Sequence, residues 1–199
     1  MDRFWAVGRR IAGCLIIACL GYALPLHAQY FGRNKVQYHS FNFDVLKTEH
    51  FDVYFYPAER DAAGIAGQMA ERWYTRLSTL FDHQLKGRQP LILYASPEEF
   101  RETNAVGGDL GEGTGGVTEA LRRRIVLPIG GTLGDLDHVI GHELTHAFQY
   151  DVTGYGQAGV SAAAQLPLWF IEGMAEYASL GPVNALTAMW MRGALADTA

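Results

Sequence analysis

The most informative part of the sequence is the run HELTH at residues 142–146, in which two histidines stand four positions apart. Residues four apart in a helix lie on one face, one turn from each other, so both imidazoles can reach a single zinc ion. Glu143 lies one step around the helix, where it can act as a general base toward a water molecule. The spacing therefore predicts His142 and His146 as zinc ligands and Glu143 as the catalytic base.

The rest of this helix distinguishes a metal site from two surface histidines that share the pattern by chance. Four apolar residues, Ile140, Leu144, Ala147 and Phe148, form a stripe on the side opposite the histidines. We therefore expect the helix to be anchored in the core on one side and to present its histidines on the other.

A third protein ligand is needed, because a catalytic zinc site normally has three ligands and one exchangeable water. No further histidine follows closely after His146, so the third ligand must come from another segment. A helix that starts at Pro167 offers Glu172 and Glu176, which share one face. Its other face carries the apolar residues Phe170, Ile171, Met174, Tyr177 and Ala178. Both glutamates are candidates on these grounds, and a solvated helix face is the simple alternative.

The runs HELTH at 142–146 and WFIEG at 169–173 together resemble the gluzincin zinc peptidases of the aminopeptidase N-like and peptidase MA-like kind. The resemblance covers residues 135–180. It implies that Glu172 is the third zinc ligand. It also implies that Glu176, one turn later, supports a ligand histidine without binding the ion.

His138 continues the histidine stripe one turn before the first predicted ligand. With His142, His146 and Glu172 assigned to the zinc, the ion already has three protein ligands. We therefore expect His138 to support a ligand or the start of the helix rather than to bind the metal.

The chain departs from the aminopeptidase pattern at two points. The Gly-x-Met-Glu-Asn run that binds the substrate amine in that family is absent, and GGVTE at 115–119 stands in roughly its place. The resemblance therefore does not predict aminopeptidase specificity. The residue that stabilises the transition state is also not selected by spacing: Tyr150, Tyr155, Tyr177 and a residue beyond Ala199 are all candidates.

The elements that must position these residues include several short strands. Alternating apolar residues predict a strand over 51–56, and an apolar run predicts another over 91–94. After a glycine-rich loop at 107–116, residues 117–119 and 124–127 are expected to form an antiparallel pair. This pair is our candidate for the edge strand that receives an extended peptide.

Helical spacing of apolar residues predicts the remaining elements. A long amphipathic helix is expected over 60–85, and Ser96 should cap a brief helix. The helix with the HELTH run should span 135–152, the next 167–181, and a last helix should begin near Asn184 and run on to the end, which predicts a truncated chain. Together with the resemblance, these elements predict an α+β fold of the zincin type. In that fold a small, mostly antiparallel sheet packs on the long helix and on the HExxH helix.

Residues 1–28 have the three parts of a secretory signal peptide. Arginines among the first ten residues precede an apolar run at 11–20 that is too short for a stable membrane anchor, and Leu26–Ala28 forms a cleavage site. We therefore predict a signal peptide over 1–28, one zincin-like domain over 29–199, and a secreted or periplasmic, cell-envelope location. The alternatives are an uncleaved anchor or lipidation at the run IIAC at 16–19. Membrane association is expected only through such an N-terminus.

Both cysteines, Cys14 and Cys19, lie inside the predicted signal peptide. The mature chain would therefore contain neither a disulfide nor a thiolate ligand. Any metal in the mature protein must be held by histidine and carboxylate side chains.

Composition narrows the function further. Of the 199 residues, 49% are hydrophobic and 19% are charged, which is typical of a globular domain. The net charge is −5 and no basic run is longer than Arg122–Arg124, so nucleic-acid binding is not indicated.

The predicted function is hydrolysis of a peptide or protein by a zinc peptidase. A catalytically inactive zincin that serves as a binding module of a larger envelope protein is the alternative. A purely structural zinc site is disfavoured, because such sites usually have four protein ligands, often cysteine.

Overall fold

The computed structural model describes residues 41–102, 114–154 and 162–197. The predicted signal peptide, Tyr155 and most of the glycine-rich loop lie outside these residues, so the predictions for them stay predictions. Among the described residues, no helix combines the length and the apolar character needed to cross a membrane.

The described residues form five strands and five α-helices. The strands are β1 Asp44–Lys47, β2 Phe51–Phe55, β3 Gln89–Tyr94, β4 Val117–Glu119 and β5 Arg124–Pro128. The helices are α1 Arg60–Phe81, α2 Pro97–Arg101, α3 Leu133–Thr153, α4 Leu168–Leu180 and α5 Ala185–Asp197. Short 3-10 turns at Pro57–Glu59 and Ala162–Gln165 precede α1 and α4. The α+β class predicted from the sequence is confirmed.

The sheet is mixed, and the prediction of a mostly antiparallel sheet is wrong. Its strand order is β1-β2-β3-β5-β4. The two outer pairs, β1 with β2 and β4 with β5, are antiparallel, whereas β3 pairs in parallel with both β2 and β5. The cause is the length of the connections: α1 lies between β2 and β3 and returns the chain to the same end of the sheet, as parallel pairing requires. The expected antiparallel pair of β4 and β5 is present, with β4 at the edge.

The main core lies between the sheet, α1 and α3. Alternate residues of the central strands are almost fully buried on one face, as in Phe51, Val53, Leu91 and Leu93. The apolar stripe predicted for the HELTH helix packs against them: Ile140, Leu144, Ala147 and Phe148 are all buried. The histidine side of α3 therefore faces away from the core, as the sequence predicts.

Helix α4 differs from expectation in its apolar residues. Ile171 and Ala178 are buried, but Phe170 is 40% exposed and Tyr177 is 60% exposed. These two rings line a surface groove of about 570 Å³ with the still more exposed Trp169. The helix packs on α3 through one narrow side of mainly small residues, so its second apolar side is left uncovered by the described residues.

The contact between α1 and α3 leads to a stability prediction at Gly141, next to the first predicted ligand. A Cβ on Gly141 would lie 2.6 Å from Cε2 of the buried Trp73. Gly141→Ala should therefore lower the free energy of unfolding by about 1–3 kcal/mol, since the helices would have to separate. Urea unfolding of the metal-free protein measures this.

The matched control is Gly64→Ala in α1, where an added Cβ meets nothing within 4 Å. That variant should be neutral or more stable by about 0.4–1 kcal/mol, because alanine restricts the unfolded chain. Equal stability of the two alanine variants would contradict the close packing of α1 on α3.

Candidate metal centre

The two helices that carry the candidate ligands have well-defined ends. Thr132 caps α3: its Oγ1 accepts a hydrogen bond from Asp135 N at 3.1 Å, and Asp135 Oδ2 accepts one from Thr132 N at 2.9 Å. This reciprocal pair satisfies backbone donors of the first turn. Helix α4 begins after Pro167 and ends before Gly181, whose φ of 82° is accessible mainly to glycine. These signals fix where each ligand-bearing turn lies along its helix.

Three side chains from α3 and α4 converge on one point. Glu172 Oε2 lies 3.2 Å from His142 Nε2 and 3.5 Å from His146 Nε2. The two Nε2 atoms are 3.1 Å apart. The structure thus brings together the two histidines of one helix and the glutamate of the other that were predicted as ligands.

This triangle fits a tetrahedral metal ion. Metal–ligand distances of about 2.0–2.2 Å place the ligand atoms of such a site roughly 3.3 Å apart. The observed 3.1, 3.2 and 3.5 Å agree with that spacing. Two imidazole nitrogens at this distance repel unless a proton or a cation lies between their lone pairs. His142, His146 and Glu172 can therefore hold a metal ion.

His146 is oriented by a contact that links the two helices. Its Nδ1 lies 2.8 Å from Gln149 Oε1, and Gln149 Nε2 donates to Ile171 O at 3.0 Å. With Nδ1 as the donor to Gln149, the lone pair of His146 is on Nε2, the atom that faces Glu172. The same glutamine ties α3 to the turn of α4 that carries Glu172.

Glu176 lies between His142 and His138. Its Oε1 is 3.2 Å from His142 Nδ1 and its Oε2 is 3.4 Å from His138 Nε2. Both ring nitrogens are buried, and neither has an aligned hydrogen-bond partner among the described residues. These three residues form a second group within metal-binding range. However, the two histidines approach different oxygens of the carboxylate, so the group bridges two imidazoles rather than converging on a point.

Glu143 is the most buried carboxylate at this site, with 7% of the residue exposed. The Thr118 hydroxyl in β4 lies 2.6 Å from Glu143 Oε2 and 2.8 Å from the backbone oxygen of Glu143. Burial raises the pKa of Glu143, which the Thr118 hydrogen bond partly opposes. A carboxyl group whose pKa is moved toward neutrality is suited to exchange protons with water.

Burial acts in the opposite direction on His142. Desolvation and then the neighbouring His146 lower the pKa of His142, although Glu176 and Glu172 oppose this. A lowered pKa favours the neutral imidazole, which is the form that binds metals.

The site opens into a cleft of about 600 Å³ between α3, α4 and β4. The cleft is lined by Thr114–Thr118, Asp135, His138, Val139, His142, Glu143, His146, Tyr150, Glu172 and Glu176. Tyr150 stacks on the His146 ring with centroids 6.3 Å apart, whereas Tyr177 belongs to the apolar groove on the other side of α4. Glu119 does not line the cleft and is ion-paired with Arg124.

Two polar residues of this site were not selected by sequence reasoning, Thr118 and Gln149. Gln149 lies three positions after His146, within the range at which helix side chains meet, so the spacing offered a weak signal. Thr118 reaches Glu143 from 25 positions away in the sequence, and no local pattern indicates that contact.

No protein-family model and no curated protein sequence matches this chain. The functional assignment therefore depends on the residues and geometry of the site itself.

Proposed function

We propose that this chain is a zinc-dependent peptidase of the gluzincin type. The observation that supports it best is the convergence of two imidazole nitrogens and one carboxylate oxygen beside a buried glutamate in an open cleft. Two histidines and one glutamate are the ligand set of catalytic, rather than structural, zinc sites.

His142, His146 and Glu172 would hold the zinc ion. When bound, zinc supplies Lewis-acid polarisation of the scissile carbonyl and lowers the pKa of water in the site. Gln149 keeps His146 in the tautomer that presents Nε2. Glu176 Oε1 lies 3.2 Å from His142 Nδ1, where its negative charge would favour a proton on that nitrogen, and its second oxygen lies 3.4 Å from His138 Nε2.

Glu143 acts as the general base in this proposal. It accepts a proton from the attacking water and later delivers it to the leaving nitrogen of the cleaved peptide bond. Its burial supports this role because desolvation raises the pKa of the Glu143 carboxyl group, which makes it a stronger base toward water. Tyr150 is the candidate, among the described tyrosines, for contacting the substrate carbonyl, since it lines the cleft.

The substrate in this proposal is a peptide or protein in extended conformation. Strand β4 forms the edge of the sheet and borders the cleft. No strand among the described residues pairs with its side away from β5, so a substrate backbone can pair there. The carboxylate of Glu119 is ion-paired with Arg124 and is not in the cleft, so nothing in β4 favours recognition of a free amino terminus. In this proposal the predicted signal peptide directs the peptidase to secretion or to the cell envelope.

Zinc removal tests the proposal. The purified protein with one zinc per chain should cleave casein, should lose this activity with 1,10-phenanthroline, and should recover it when zinc is restored. Zinc content is measured by atomic emission alongside the rate. Stoichiometric zinc without cleavage of any protein substrate would favour the inactive binding module, and absence of zinc binding would refute the zinc peptidase.

A further inference from the structure

The general base is held in place by the edge strand rather than by its own helix. Thr118 Oγ1 is 2.6 Å from Glu143 Oε2 and 2.8 Å from the backbone oxygen of Glu143, and the nearer carboxylate oxygen has no other hydrogen-bond donor among the described residues. A buried carboxylate that lacks a donor is costly, so this hydroxyl fixes the orientation of Glu143.

The other oxygen of the carboxylate faces a backbone without a side chain. A Cβ on Gly116 would lie 2.9 Å from Glu143 Cγ and 3.1 Å from Glu143 Oε1. Gly115 approaches the same helix closely, since its Cβ would come within 2.9 Å of Val139 Cγ2. The segment 115–118 therefore packs over the Glu143 side chain. The Thr118 hydroxyl is hydrogen-bonded to Oε2, and Gly116, which has no side chain, leaves room for Oε1.

We propose that Thr118 is a positioning residue for Glu143, holding Oε2 so that Oε1 is the oxygen presented to the cleft. This inference rests on the proposed function for its kinetic consequence, but the contact itself can be tested in the metal-free protein. Thr118 lies in β4, so the residue that orients the general base belongs to the same strand that is proposed to pair with the substrate.

The kinetic test compares Thr118→Val, which keeps the shape but removes the hydroxyl, with Thr118→Ser, which keeps the hydroxyl. In Thr118→Val, kcat should fall roughly 10- to 100-fold, which is the usual effect of removing a hydrogen-bond partner that orients a residue of a metal site. Its KM and its zinc content should match those of the wild type. Thr118→Ser should recover most of the lost kcat, a result that a merely structural threonine would not give.

The control for a threonine-to-valine change is Thr79→Val on the exposed face of α1. Among the residues that the structure describes, the Thr79 hydroxyl bonds only to the backbone oxygen of Thr75 in its own helix. We expect kcat of this variant to equal that of the wild type.

A second measurement does not need activity. In the metal-free protein, Thr118→Val should lower Tm by roughly 2–4 °C when Glu143 is present. In a Glu143→Ala background the same change should lower Tm by clearly less, because no carboxylate is left without its donor. Equal shifts in the two backgrounds would overturn the proposal whether or not the wild type is a peptidase.

Gly116→Ala keeps the inference testable if Thr118→Val fails to fold. Its added methyl group would displace Oε1 while leaving the Thr118 hydroxyl in place, so kcat should fall with zinc retained. Wild-type kcat in Gly116→Ala, or in a folded Thr118→Val, would refute the positioning role.

Discussion

Replacing Glu143 with glutamine should abolish peptide hydrolysis while leaving one zinc per chain. Glutamine has nearly the same shape and can still pair with Thr118, so the helix and the ligands stay in place. It cannot accept the proton of the attacking water, and loss of a general base typically costs about 10²–10⁴-fold in rate. The measurement is kcat/KM on a protein substrate together with zinc content of the same sample.

The control for a glutamate-to-glutamine change is Glu98→Gln in α2. Glu98 is exposed in the first turn of that short helix and lies outside the cleft. Its replacement should leave both the rate and the zinc content unchanged. Wild-type activity in Glu143→Gln would refute the assignment of the base, and loss of zinc would show that Glu143 has a structural role at the metal site.

The convergence of the ligands could be predicted because a short run of sequence shows which side of each helix is apolar and which side bears the ligands. Ile140 and Leu144 fix the buried side of α3, which leaves His142 and His146 on the opposite side. Buried Ile171 does the same for the turn of α4 that carries Glu172. Two amphipathic helices that pack on each other must then bring their polar sides to a common cleft.

The contacts that hold the site together could not be predicted in the same way. Thr118 belongs to a strand of three residues, all only partly buried, and a threonine at such a position is common. Its pairing with Glu143 depends on how close β4 comes to α3, which Gly115 and Gly116 permit by lacking side chains. Such an approach is a property of the tertiary structure, not of any periodic pattern.

In the sheet too, most of the strands could be predicted from local sequence patterns, whereas the way in which they pair could not. Strands β2, β3 and β5 were predicted because their apolar residues recur with period two or in short runs. Strand β1 was missed because three of its four residues are exposed. The parallel pairing of β3 was also missed, since strand direction is set by the helices between strands and not by the strands themselves.

Glu172 and Glu176 offer the sharpest test of the metal centre, because they are matched in everything except their contacts. They lie one turn apart on α4, and their side chains are 47% and 44% exposed. Glu172 Oε2 faces the Nε2 atoms of both His142 and His146, whereas Glu176 faces the Nδ1 atom of His142. Glu172→Ala removes one of three ligands and should abolish stoichiometric zinc binding.

Glu176→Ala should retain the zinc site and weaken it by roughly 10- to 100-fold, as expected for a partner that orients a ligand histidine. Competition with a chromophoric chelator measures both affinities, and thermal unfolding of the metal-free variants checks that each remains folded. Equal losses of affinity would mean that the two carboxylates share the ion. A larger loss in Glu176→Ala would move the ion to the group formed by His138, His142 and Glu176, in which case Nε2 of His146 would no longer be a ligand.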